Sequence, residues 1–252
     1  MKKNFAVLVL IFVCFLAYGN SLRNQFLLDD YYVLFGKDGV ENLKSPSSLF
    51  TTPRDGFFRP VGYGLLRICY LVFGDHPFVY HLANLFLFAA LCILIFLFVL
   101  ELAGDEKLAF LTSLIYAVHP INQTVVNFAS FSSMATYPIF MLLSMICVLR
   151  FLDSPKKISY FLTLLFLFMA LLSHEMAVLF PVYFILIALL LNRGDKKEAL
   201  NMFASSVSLV CFFLLWRASL TNPRPVATVF GLHISLGEYF GTLAKLIFWY
   251  LS

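Results

Sequence analysis

Two carboxylates stand side by side in the stretch Asn24-Gln25-Phe26-Leu27-Leu28-Asp29-Asp30-Tyr31-Tyr32. Their neighbours are apolar or aromatic, and an apolar run from Phe5 to Tyr18 ends just before them. A carboxylate held there can take the proton of an attacking hydroxyl. The bland alternative is that the pair caps a helix starting near Tyr31. Further along, Arg59, His81, Asn84, His119, His174, Glu175, Arg217 and Arg224 fall at the mouths of apolar segments or in the loops between them. Ionisable groups at such depth are costly and usually face an interior or an aqueous cavity. Guanidinium and imidazole groups in that position suit a phosphate or another developing negative charge. His81 and Asn84, three apart, share one helix face, which also fits an interhelical hydrogen bond. Glu175 has no cation near it in sequence, and an unpaired carboxylate beside hydrocarbon is expensive. Asp29 with Glu175 could hold a hard cation, Mg²⁺ or Mn²⁺, although the chain contains no HExxH, DxD or CxxC spacing.

What must position these groups is almost entirely apolar. The chain is 61% hydrophobic and 13% charged, against roughly 25% charged in soluble domains. This composition predicts an all-α polytopic membrane protein, a single transmembrane domain over residues 1–252. Thirty Phe and twelve Tyr suit lipid contact and interfacial belts. Five dispersed Cys give neither a disulfide framework nor a zinc site. The net charge of +4 is scattered over loops with no basic stripe, so nucleic acid is not an expected partner. The lipid bilayer is.

Taken in order, Phe5–Tyr18 reads as a retained first helix in preference to a cleaved signal peptide. Residues 20–77 form the long first loop, too aromatic to be disordered. Within it, Ser45–Phe50 reads as a short helix start. Pro60–Phe73, apolar but too short to span and carrying Arg67, reads as an interfacial helix. Spanning segments follow at Tyr80–Leu102, Leu108–Val118 if it continues past His119-Pro120, Met134–Leu152, Ile158–Leu172, Met176–Leu191, Leu200–Leu220 and Tyr239–Leu251. With the first helix this makes about eight. Ile121–Ser133 is mildly polar, and broken backbone at membrane depth is tolerated only where it is buried or lines a cavity. The Asn122-Gln123-Thr124 sequon lies close to the membrane plane, so it is expected to stay unmodified. The stop at Trp249-Tyr250-Leu251-Ser252 predicts a chain truncated at its carboxyl end.

Lys2, Lys3, Lys107, Arg150, Lys156, Lys157, Arg193, Lys196 and Lys197 fall in the turns of one side, and the opposite short turns carry no Lys or Arg. This bias predicts a cytoplasmic amino terminus and places the Asp29 loop, His119, Glu175 and residues 221–238 outside the cytoplasm. Nothing marks endoplasmic reticulum retention. A bacterial inner membrane is the expected location, and the endoplasmic reticulum membrane is the alternative.

Several short motifs then line up. Asn20-Ser21-Leu22, Asn24 and Phe26-Leu27-Leu28-Asp29-Asp30 resemble the first-loop motif of polyprenyl-phosphate-sugar-dependent glycosyltransferases of the GT-C fold, closest to the transmembrane and TPR-containing O-mannosyltransferase type. Arg59-Pro60 resembles that family's RP motif, and Tyr80-His81-Leu82-Ala83-Asn84 its HxxN helix start. Ala117 to Asn127 resembles its AVHPxxxEAV segment, and His174-Glu175 stands in place of its KE motif. The ordered matches cover about residues 20 to 180. Gln123-Thr124 stands where the family has Thr-Glu, His174 replaces Lys, and the TPR array is absent. The resemblance implies a GT-C-like bundle whose first loop faces away from the cytoplasm. It implies transfer of mannose or a similar hexose, with inversion, from a polyprenyl-phosphate donor to a hydroxyl of a protein or glycan. Asp29 or Asp30 would be the base. Arg59, His81, Asn84, His119, His174, Glu175 and Arg224 would bind substrate or phosphate. A transporter or lipid-linked-sugar flippase is the rival reading, and a non-catalytic scaffold the third.

Overall fold

The computed structural model describes residues 3–43, 45–54, 57–191, 195–220, 241, 242 and 245. Among them the chain is helical, with no strand beyond one isolated bridge between Arg54 and Phe57. The helices are α1 (Lys3–Tyr18), α2 (Asp29–Phe35), α3 (Ser48–Thr51), α4 (Pro60–Phe73), α5 (Pro77–Ala103), α6 (Glu106–Val118), α7 (Gln123–Asn127), α8 (Ser132–Asp153), α9 (Lys157–Leu171), α10 (Phe180–Leu191) and α11 (Lys196–Leu220). Short 3-10 turns at Gly19–Arg23, Val40–Asn42, Pro120–Asn122, Ala129–Phe131 and Glu175–Leu179 join them.

Among the described residues, four stretches are long and apolar enough to cross a membrane: Lys3–Arg23, Pro77–Ala103, Ala129–Asp153 and Lys196–Leu220. Lys157–Leu171 and Glu175–Leu191 are shorter apolar helices. The expected third span does not continue. The α6 helix stops at Val118, His119 is extended, and a 3-10 turn begins at Pro120. Proline cannot supply the next helical N–H, so the helix ends there. The 13 residues of α6 cover about 20 Å at 1.5 Å each. Nearly all of the expected last span, 239–251, lies outside the described residues, as does the loop before it.

Long apolar helices leave their polar groups at the two ends. At one end Arg150 Nε donates to Glu101 Oε1 at 3.0 Å, near the turn where Asp105 caps α6 through the Lys107 and Leu108 N–H groups. At the other end sits the first loop. There Phe26, Leu34, Val40, Leu43, Leu66, Tyr80 and Ala129 make a small core of their own. Two arginines hold its connecting turn. Arg67 donates to the carbonyls of Val40, Glu41 and Leu43 at 3.1, 3.0 and 3.1 Å. Arg54 donates to those of Asp38 and Gly39. The acidic pair begins α2 itself, earlier than the Tyr31 start read from sequence.

The α4 helix crosses this end and meets two others by its amino-terminal turn. Val61 N–H donates to the Leu172 carbonyl at 3.1 Å, and Ser132 Oγ to the Gly62 carbonyl at 3.3 Å. The approach is close because residue 62 has no side chain: a Cβ there would lie 2.9 Å from Ser133 Cβ. A Gly62→Ala variant is therefore expected to be destabilised by about 1–3 kcal/mol, read as an earlier loss of monodisperse protein on heating in detergent. Gly64→Ala, whose Cβ meets only Leu49 Cδ1 at 3.7 Å, should behave as the parent.

Candidate active site

A cavity of about 390 Å³ opens at the first-loop end of the bundle. Asp29, Tyr32, Phe57, Arg59, Tyr63 and Ser130 are among its walls, with Gly62, Phe131, Ser133 and Met134. Four different stretches build it: α2, the strand-like approach to α4, α4 itself, and the turn leading into α8.

The two neighbouring carboxylates are used differently. Asp30 is fully buried. Its Oδ2 accepts the Leu27 N–H at 3.0 Å and its Oδ1 the Ser130 N–H at 2.8 Å. It therefore pins the start of α2 to the turn before α8, across 100 residues of sequence. Asp29, one position earlier and exposed, lines the cavity, and its side chain makes no hydrogen bond or ion pair with the described residues. Of the pair, Asp29 has lone pairs to offer a substrate. The residue before it, Leu28, has φ +27°, a conformation costing about 1–3 kcal/mol in a non-glycine residue.

Arg59 precedes Pro60 and sits at the start of α4. Its Nε donates to Glu175 Oε2 at 2.9 Å, and its guanidinium lies 4.4 Å from the centre of the Phe57 ring. Arg217, in the last turn of α11, comes within 3.5 Å of the other Glu175 oxygen. The isolated Glu175 of the sequence thus has two cations as neighbours, both brought from distant helices. Burial would raise the Glu175 carboxyl, but the Arg59 hydrogen bond, its own backbone N–H and the Arg59 charge hold it below the usual carboxylate range.

His174 is buried against the Tyr137 ring, centroids 5.1 Å apart. Its Nδ1 accepts the Met176 N–H at 3.2 Å, so the ring is drawn as the neutral Nε2-protonated form. Burial first, then the Arg59 charge, push its pKa down, with Glu175 opposing. The 3.4 Å approach of Nδ1 to Glu175 Oε2 is for that reason not an ion pair at neutral pH.

His81 and Asn84 are buried on α5 and grip the broken segment. His81 Nδ1 lies 3.3 Å from the Val126 carbonyl; a carbonyl only accepts, so Nδ1 carries the proton. Asn84 Nδ2 donates to the Phe128 and Ala129 carbonyls at 2.7 and 3.3 Å. Both positions hold backbone away from the cavity wall. His119 is exposed, caps its own turn through the Ile121 N–H, and takes the Tyr18 hydroxyl on its carbonyl at 2.9 Å. It shares the polar end but not the cavity. Arg224 lies outside the described residues. Asn122 of the sequon is buried, its amide donating to the Tyr116 carbonyl.

No group of three or more His, Cys, Asp or Glu side chains gathers among the described residues in a way that would hold a metal ion. Glu175, the expected partner of Asp29 for Mg²⁺ or Mn²⁺, already faces two guanidinium groups, which repel a cation. Tyr32 and Tyr63 were not singled out in the sequence, because nothing in their spacing separates them from the other tyrosines. Ser130 and Ser133 carried a weak signal, as part of the polar segment beyond Pro120. Comparison with protein-family models, with curated proteins and with solved structures finds no match to this chain.

Asp30→Ala leaves two backbone N–H groups bare, at about 1–3 kcal/mol each, and should lower the unfolding temperature clearly; Asp29→Ala should change it little. Acid should loosen the site in two steps. His174 has a lowered folded pKa, so its contribution is whole above its unfolded value of 6.5 and is lost as pH falls below that. Glu175, also lowered, contributes above its unfolded 4.5 and loses this as pH falls through its folded pKa. Unfolding temperatures measured across this range should fall first near the upper value, and His174→Gln should remove that first step.

Proposed function

We propose that this protein is a membrane glycosyltransferase of the GT-C type. It moves mannose or a similar hexose from a polyprenyl-phosphate donor to a hydroxyl of a protein or glycan on the extracytoplasmic side. The observation that carries the reading is that Asp29 and Arg59 wall one cavity, one carrying an uncommitted carboxylate and the other a cation. The ordered resemblance of the sequence motifs supports it as well.

The chemistry follows from the two groups. The acceptor hydroxyl gives its proton to an Asp29 oxygen while its own oxygen bonds to the anomeric carbon. The bond from that carbon to the phosphate oxygen breaks, its electron pair leaves with the lipid phosphate, and the anomeric configuration inverts. Arg59 lies where it can stabilise the charge that grows on the phosphate. Glu175 and Phe57 fix the Arg59 side chain, and Asp30 fixes the turn that presents Asp29. Tyr32, Phe57 and Tyr63 offer aromatic faces for the sugar. No step is assigned to a metal ion.

The test is transfer of labelled sugar by membranes that contain the full chain, supplied with polyprenyl-phosphate mannose and the corresponding glucose donor. Asp29→Asn should lower kcat/KM by about 10²- to 10⁴-fold without changing thermal stability. Parent-level transfer by Asp29→Asn refutes the assigned base. A parent protein that transfers no sugar from either donor, but moves the lipid-linked sugar between leaflets of proteoliposomes, overturns the transferase reading in favour of transport.

A further inference from the structure

The first loop carries an apolar face that nothing in the described protein covers. Ile68, Leu71 and Val72 of α4 are 59%, 66% and 64% exposed, and Phe73 and Phe78 continue the same surface onto α5. The polar groups along the edge of this face are occupied: Arg67 holds the Val40–Leu43 turn, and the Tyr70 hydroxyl donates to Glu41 at 3.1 Å. A loop helix standing in water would not keep such a face bare.

The depth of α4 can be judged against α5. The 27 residues of α5 measure about 40 Å, whereas the hydrocarbon layer is about 30 Å thick. Centred in the bilayer, α5 would project about 5 Å at each end. The α4 side chains Leu65, Leu66 and Cys69 share a crevice with Ala83, Asn84 and Leu87 of α5. Leu87 is ten residues inside Pro77, or about 15 Å along the axis, well past the projecting end. The crevice has a volume of about 280 Å³ and most of its lining residues are apolar.

We infer that α4 is immersed in the membrane leaflet on the cavity side, with lipid hydrocarbon covering Ile68, Leu71, Val72 and Phe73. Its partner is the bilayer itself, because Phe86 of the membrane-length helix α5 is exposed and lines the same crevice as Leu65 and Cys69 of α4. Arg67 and Tyr70 then lie at the headgroup boundary, where amphipathic side chains collect. One consequence concerns the cavity. The amino-terminal turn of the same helix supplies Gly62 and Tyr63 to its wall, so the cavity opens at the leaflet surface and not above it. This inference rests on the membrane reading alone and not on sugar transfer.

The experiment uses the full chain with Cys69→Ser and Cys211→Ser, which leaves three buried cysteines. Leu71→Cys, and Ser47→Cys as an exposed-loop reference, are each labelled with an NBD fluorophore and reconstituted in phosphatidylcholine–phosphatidylglycerol vesicles. Val72→Cys repeats the measurement should Leu71→Cys elute abnormally on gel filtration. The α4 label should emit at shorter wavelength than the loop label. It should be quenched at least about twofold more by lipids with a nitroxide on the acyl chain than by lipids with one on the headgroup. Emission and quenching equal to the loop label would overturn the inference. So would a blue-shifted label that neither lipid quenches, since protein would then cover the face. No transfer activity is read, so either failure leaves the catalytic proposal to its own test.

Discussion

A backbone that leaves the helix among apolar side chains has to find other hydrogen-bond partners, and the stretch from Val126 to Ser130 is such a backbone. Its carbonyls at 126, 128 and 129 go to His81 and Asn84 of α5, and its N–H at 130 goes to Asp30 of α2. Four bonds from three buried side chains replace the ladder that Pro120 interrupts. They also do something the ladder could not: they tie the first loop and the second long helix to the same short turn. Ser130, at the end of that turn, lines the cavity, so part of the wall is held in place by side chains that do not line it themselves.

Three carboxylates near this end therefore have three separate fates. Asp30 has both oxygens filled by backbone donors, Glu175 is shared by Arg59 and Arg217, and Asp29 faces open space. The arrangement leaves a carboxylate facing a cavity whose lining cation, Arg59, is already oriented. Were Glu175 absent, Arg59 would be free to fold onto Asp29 and neutralise it. A half-buried pair of this kind adds little net stability, because desolvation and screening offset most of the attraction; its value here is in fixing where the guanidinium points.

The long helices were legible because hydrocarbon dictates them: Phe5–Tyr18, Tyr80–Leu102, Met134–Leu152 and Leu200–Leu220 each fall within a helix that could cross a membrane. The α4 helix was legible too, as an apolar stretch too short to span and carrying Arg67. Reading α6 onward through His119-Pro120 failed, since apolar content suggested continuation where the missing N–H forbade it. The division of labour between Asp29 and Asp30 could not be read at all. Their sequence surroundings are the same, and the Ser130 N–H that separates them is 100 residues away. The same holds for Glu175, which looks unpaired until Arg59, at 116 residues' distance, is seen beside it.

Those separations have a bearing on how the protein is made. The bonds Asn24–Asn127, Asp30–Ser130 and Arg59–Glu175 span 103, 100 and 116 positions. A chain emerging from the ribosome exposes Asp30 long before Ser130 has been synthesised, and Arg59 long before Glu175. The first loop must then wait, unanchored, while α5, α6 and α8 are made behind it. During that interval its apolar helix and its unpaired charges are open to proteases and chaperones. Quality control during biogenesis would therefore act on this loop first, and slow insertion of the later helices would lower the yield of mature protein before any assay of its chemistry began.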